Sequence, residues 1–196
     1  MKRLRILIMV MTALFATAAA TNAERIEAEV TGFEEVPVVS TFASGEFEAR
    51  ISRDEQSIDF LLRYRGLQGT VQQAHIHVAQ LSVNGSIVIW LCQTSAAFLD
   101  PTGLADQCPA GKETEAVVTG TITAANVIAG SMAPQQLTAG DLAEVIRAIR
   151  AGAAYANVHT DLSPGGEIRG QIEDKDDKDK KNKRDRDDKD GKGRHH

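Results

Sequence analysis

The 196-residue sequence has no apolar run long enough to cross a bilayer: its longest covers residues 6–15, and a spanning helix needs about 20 such residues. No cysteine lies near residue 23 to accept a lipid, and the C-terminal end carries no apolar stretch. No membrane span is expected once the leader described below is removed. A basic face is missing too. Residues 24–172 hold 18 acids against 9 bases, a net of −9, and residues 173–196 intersperse 10 bases with 9 acids. Mixed charge of that kind is no nucleic-acid arm. Catalytic constellations are scarce: Ser44 and Ser163 have no base placed beside them, and Asp161 with Glu167 reads as turn chemistry around Pro164-Gly165-Gly166. No catalytic residue is expected.

What is present begins with a leader. Lys2, Arg3 and Arg5 form a basic start, residues 6–15 an apolar centre, and Thr21-Asn22-Ala23 a small-residue ending, the three parts of a signal peptide. Residues 1–23 are therefore expected to be removed before Glu24, and the mature protein to be secreted or periplasmic. In an oxidising compartment Cys92 and Cys108 are expected to form a disulfide, worth about 3 kcal/mol for a closed loop of this length, which leaves neither as a metal ligand. At the other end residues 174–190 contain no apolar side chain, so the segment has nothing to bury against its ordering entropy. The expected division is a folded domain over 24–172 and a disordered mixed-charge tail over 173–196.

Within the domain, period-two patterns dominate. Ile26, Ala28 and Val30 alternate with polar residues, as do Phe47, Ala49 and Ile51, then Ile58, Phe60, Leu62 and Tyr64, then Ala74, Ile76 and Val78. Bounded by Gly, Ser or Asp, these read as half-buried antiparallel strands. Asn84-Gly85 favours a tight hairpin turn, pairing the Ala74 strand with the run 87–91; further strands are expected at 116–122, 155–160 and 167–172. Asn84-Gly85-Ser86 also meets the glycosylation pattern, which the turn explains without a glycan. Val36-Pro37-Val38 suits an edge or crossover, because proline cannot donate to a central ladder. One helix interrupts: Asp141 to Glu144 resembles a capping box, and Leu142, Val145, Ile146 and Ile149 recur at helical spacing up to Gly152. The fold class is all-β, antiparallel, a β-sandwich or flattened barrel with one short inserted α-helix.

Three histidines carry the chemistry. His75 and His77 stand i, i+2 in a strand, so their rings project from one face about 6.6 Å apart while Ile76 and Val78 face the other way. In 155–160, Asn157 and His159 alternate with Ala156 and Val158, which sends His159 away from the core. If the two strands are neighbours the three rings meet, on a patch at the domain surface. Neutral imidazole suits copper or zinc, and three such ligands leave a position open. The bland alternative is a set of hydrogen-bonded surface histidines beside Glu167 or Asp161.

Gly32-Phe-Glu-Glu-Val-Pro37-Val, Gly66-Leu-Gln-Gly69, Ala74-His-Ile-His-Val, Asn84-Gly85 with the strand ending in Cys92, and Tyr155-Ala-Asn-Val-His-Thr-Asp-Leu-Ser-Pro-Gly-Gly-Glu-Ile-Arg-Gly-Gln-Ile172 together resemble the chordin (CHRD) domain, over essentially all of 24–172. That family includes secreted bacterial proteins and the repeated domains of chordin, an extracellular antagonist of bone morphogenetic proteins, and has no generally assigned activity. The resemblance implies an immunoglobulin-like barrel related to copper/zinc superoxide dismutases, and carries His75, His77 and His159 over as ligands for copper, with zinc the weaker candidate. With only these histidines in the domain, no zinc set and no bridging imidazole remain. Arg169 lies near the enzyme's substrate-guiding arginine, but its register does not match and the role is not transferred. A net charge of −9 repels superoxide at long range. The expected function is thus a non-catalytic extracellular or periplasmic binding or scaffold module for a protein or surface ligand; the competing expectation is a copper-dependent oxidoreductase.

Overall fold

The computed structural model describes residues 23–94 and 99–175. The leader, the 95–98 stretch of the cysteine loop and most of the charged tail lie outside the described residues. The alternating segments form strands β1 (Glu24–Thr31), β2 (Ser44–Ile51), β3 (Ile58–Arg65), β4 (Val71–Val78), β5 (Ser86–Gln93), β6 (Asp106–Gln107), β7 (Ala116–Ile122), β8 (Ala154–Thr160), β9 (Ile168–Gln171) and β10 (Glu173–Asp174). All belong to one sheet, ordered β6-β5-β4-β8-β9-β1-β2-β3-β7, with β10 added beside β1. The pairings are antiparallel except β5 with β6. Past β7 the chain reaches back to β5 through the bridge Ile89↔Val127 and the Ile128 N–H to Val88 carbonyl bond of 2.9 Å. The sheet therefore curls around one apolar core that draws on Phe47, Leu62, Ile76, Ile89, Val158 and Ile168. The expected all-β class with a single helix holds, and the curl is nearer the flattened barrel than two facing sheets.

The helix α1 (Leu142–Arg150) follows its sequence signals. Asp141 accepts the Glu144 N–H at 3.0 Å, and Leu142, Val145, Ile146, Ala148 and Ile149 form the buried stripe. It ends at Gly152, whose φ of 65° is readily adopted only by glycine, and the chain enters β8 two residues later. The Cys92–Cys108 disulfide is formed. It joins β5 to the residue after β6, where Cys92 already pairs with Asp106.

One expectation needs correction. β4 and β5 do pair, but through residues 79–85 rather than a two-residue turn. The left-handed residue of that loop is Ser82, at φ 59°. Asn84 is held by its side chain, donating to the Val36 carbonyl at 3.1 Å and accepting from Arg169 at 3.2 Å; a Cβ at Gly85 would run into the Val78 carbonyl. Close packing, not turn geometry, calls for this dipeptide. At the C-terminal end the structure continues past Ile172: Glu173 and Asp174 pair with Glu27 and Ile26, and Lys175 reaches Glu27 at 2.6 Å and Glu48 at 3.4 Å.

Candidate metal centre

Register builds the centre. Across β5, β4, β8, β9 and β1 one row runs Trp90, His75, Asn157, Arg169, Thr31, because each pairs with the next. His77 lies opposite Tyr155, and Gln73 opposite His159. These side chains share the face of the sheet turned away from Ala74, Ile76, Ala156 and Val158, as strand alternation requires.

That face is not the surface. His75 is 0% exposed and His77 and His159 are each 6% exposed, so the expected surface patch is a buried polar layer. Its cover consists of loops. The segment 32–42 brings Glu35 over Gly166, residues 79–85 place Gly85 on His77 and Val83 on Arg169, and residues 161–166 place Pro164 on His159. Alternation correctly put the histidines opposite the core, but it carries no information about loops folded over the far side. Those loops also carry Phe33, Val38, Phe42, Leu81 and Leu162, all well exposed.

The three rings converge. Centroids lie 5.4 Å apart for His75 and His77, 4.9 Å for His75 and His159, and 6.1 Å for His77 and His159. One nitrogen from each can be chosen so that all three fall within 4.8 Å of one another. Metal to imidazole distances of about 2.0–2.1 Å imply nitrogens roughly 3.3–3.6 Å apart, so the rings need to draw in only slightly to share an ion.

The hydrogen bonds fix which nitrogens face that point. His77 Nδ1 meets the Gly85 carbonyl at 3.0 Å and His159 Nδ1 meets the Pro164 carbonyl at 3.0 Å. A carbonyl only accepts, so Nδ1 carries the proton in each ring and Nε2 presents a lone pair. Both Nε2 atoms, and both nitrogens of His75, are buried with no hydrogen-bond partner. A backbone carbonyl behind one nitrogen and a bare nitrogen in front is the arrangement by which proteins orient metal-ligating histidines. Burial holds all three rings neutral: His77 is pushed down to about 4, chiefly by burial, His75 lies well below the ordinary value through burial and its histidine neighbours, and His159 is lowered by burial. Neutral imidazole is the ligating form.

Around the cluster lie further groups. The Tyr155 ring stacks on His77 at 4.7 Å, and the Arg169 guanidinium sits 3.4 Å over the same Tyr155 ring. Arg169, 1% exposed, donates to Asn84 Oδ1 at 3.2 Å and to the Val83 carbonyl at 2.9 Å, a structural anchor for the loop above it. Glu35 is pushed up to about 7 by burial, a rise that Arg169, the Val36 N–H and Asn157 partly offset. Tyr155, Asn157 and His159 follow one another at i, i+2, i+4, so alternation alone could have grouped them. Glu35 had no such signal, since it arrives from a loop. Glu167 and Asp161, the neighbours expected in the bland alternative, are engaged elsewhere: Glu167 accepts from Thr41, Gln68, Gly69 and Thr160, and Asp161 from Thr70. An acidic cluster of Glu27, Glu46 and Glu48 is paired with Lys175 and Arg63.

Fold and site together define a curled β-sheet module with a buried trio of histidines under loops. The family model for the CHRD domain matches residues 26–172, and the chain belongs to the CHRD domain family. Neither the curated proteins nor the solved structures contain a match to it.

Proposed function

We propose that the protein is an exported CHRD module that holds one copper ion on His75, His77 and His159 and works by binding rather than by turnover. One observation carries the reading: three buried imidazoles present unpartnered nitrogens to a common point, two of them locked in the ligating tautomer by backbone carbonyls. A buried polar atom without a partner costs about 1–3 kcal/mol, and several facing one spot are hard to explain unless something occupies it. An all-nitrogen set with no thiolate or carboxylate suits copper, which also outranks zinc in the general order of affinities. Burial of all three rings and the surplus of acids favour holding an ion over rapid exchange with an anionic substrate. Export rests on the leader, and a disulfide in the domain agrees with it.

The test is metal content and copper titration of full-length protein bearing no affinity tag, with His195 and His196 replaced by alanine to remove stray ligands. One copper per chain is expected, with affinity falling at least about 100-fold in His77→Ala. Equal affinity in both proteins, or no retained copper, overturns the reading.

A further inference from the structure

The trio offers an ion no negative charge. Imidazole ligates as a neutral ring, and among the described residues no Asp, Glu or Cys joins the set of ligating atoms lying within 4.8 Å of one another. The strand partners of the three rings, Trp90, Asn157, Tyr155 and Gln73, are uncharged as well. One charge does lie beside the site, and it is positive. Arg169 is 1% exposed, and a guanidinium does not deprotonate in proteins. Among the described residues its hydrogen bonds go to neutral acceptors, Asn84 Oδ1 and the carbonyls of Val83 and Gln80. Its guanidinium lies 3.4 Å from the centroid of the Tyr155 ring, and the His77 imidazole stacks on that same ring at 4.7 Å with planes 4° apart. Two acids stand nearby. Glu35, in the loop cover, is raised to about 7, chiefly by burial, so at neutral pH it carries only part of a charge. The Glu167 charge is met by donors from Thr41, Gln68, Gly69 and Thr160.

The cost of burying an ion grows with the square of its charge, and a neighbouring cation adds to it in proportion to that charge. A divalent ion meets both penalties with only neutral donors to offset them. A monovalent ion meets much less of each. Imidazole accommodates copper in either state, so burial and charge decide between them. We propose that the site selects monovalent copper, Cu(I), over divalent ions, with Arg169 as the buried charge that sharpens the choice. The proposal rests on the three-histidine reading. No electron is exchanged at the site, because the ion arrives already reduced. Divalent copper enters the same site more weakly.

The experiment is competition titration of the full chain with His195 and His196 replaced by alanine, against bicinchoninate for Cu(I) with ascorbate as reductant and against nitrilotriacetate for Cu(II). Cu(I) should bind about 100-fold more tightly, on the scale of the penalty for a buried charge, which places the reduction potential about 120 mV above that of aqueous copper. Silver(I) and zinc(II), both closed-shell ions, repeat the comparison without the geometric preferences of Cu(II): silver should bind far more tightly than zinc. Arg169→Met removes the charge and keeps the length. It should narrow the copper ratio by about 10-fold, the effect of one charge roughly 10 Å away at an effective dielectric of about 20, while Arg169→Lys keeps the ratio. His77→Ala should weaken both states. Cu(II) bound as tightly as Cu(I), or zinc as tightly as silver, overturns the proposal and leaves the three-histidine reading standing. An unchanged ratio in Arg169→Met overturns it too, since Arg169 then does not sharpen the choice. Should that variant fail to fold, the silver and zinc comparison in wild type decides. Wild type that binds copper in neither state overturns both readings.

Discussion

The Trp90 indole meets the His75 imidazole edge to face, with centroids 4.3 Å apart and planes at 84°. Trp90 is the only tryptophan in the chain, so its emission reports on the histidine layer alone. One equivalent of copper(II) should quench that fluorescence by more than half, and His75→Phe should lose the effect. Emission unchanged at saturation would place the ion away from His75.

Acid should loosen the metal-free protein. His75, His77 and His159 are held neutral in the fold, His77 down to about 4, whereas unfolded histidine titrates near 6.5. From pH 6.5 down to about 4 the unfolded chain binds more protons than the native one, so stability drops as pH falls through that window. Glu35 acts in the opposite sense: raised to about 7 from 4.5, its contribution is present at low pH and lost as pH rises from 4.5 to 7. Three histidines outweigh one carboxyl, and the melting temperature should decline steadily from pH 6.5 to 4.5. His77→Ala should show a shallower decline when melts are taken across that range.

Glu167 is a clasp between β8 and the loops beside it. At 1% exposure it accepts from Gln68 N–H at 2.7 Å, Gly69 N–H at 3.2 Å, Thr41 Oγ1 at 3.0 Å and Thr160 Oγ1 at 2.8 Å. Glu167→Ala leaves buried donors unmet, so urea unfolding should reveal a loss of about 3–5 kcal/mol. Glu167→Gln, which keeps the shape, should lose less.

The end of the folded domain can be located by truncation. Ending the chain after Lys175 should leave the melting temperature unchanged. Ending it after Ile172 removes the β10 pairing and the Lys175 contacts with Glu27 and Glu48; such exposed pairs contribute up to about 1 kcal/mol, a fall of about 2–4 °C. A fall already on ending the chain after Lys175 would mean that later residues dock on the domain.

How much was legible in the sequence follows from which interactions are local. Alternation in β1 to β4, the Asp141 cap and the helical stripe of α1 are set by neighbours in the chain, and each was readable. The meeting of His75, His77 and His159 needed β4 and β8 to be adjacent; the shared pattern of the segments suggested this and the register delivers it. Burial of the trio was not readable, because it depends on three distant loops converging. Asn84 misled for the same reason. Its turn-forming character was plain, whereas its bonds to Val36 and Arg169 span 48 and 85 residues. Glu35 stayed hidden because a lone carboxylate in a loop gives no periodic signal.

β4 and β8 are covered by different means on their two sides. The apolar side is closed by strands locked in register, where a change of one residue would reverse every side chain; the histidine side is closed, among the described residues, by the loops 32–42, 79–85 and 161–166. Loops accept insertions and deletions that strands do not. The depth of the trio, and the size of whatever reaches it, can therefore drift between related sequences while the scaffold stays put, so that one barrel can yield a sealed vault in one protein and an open port in another.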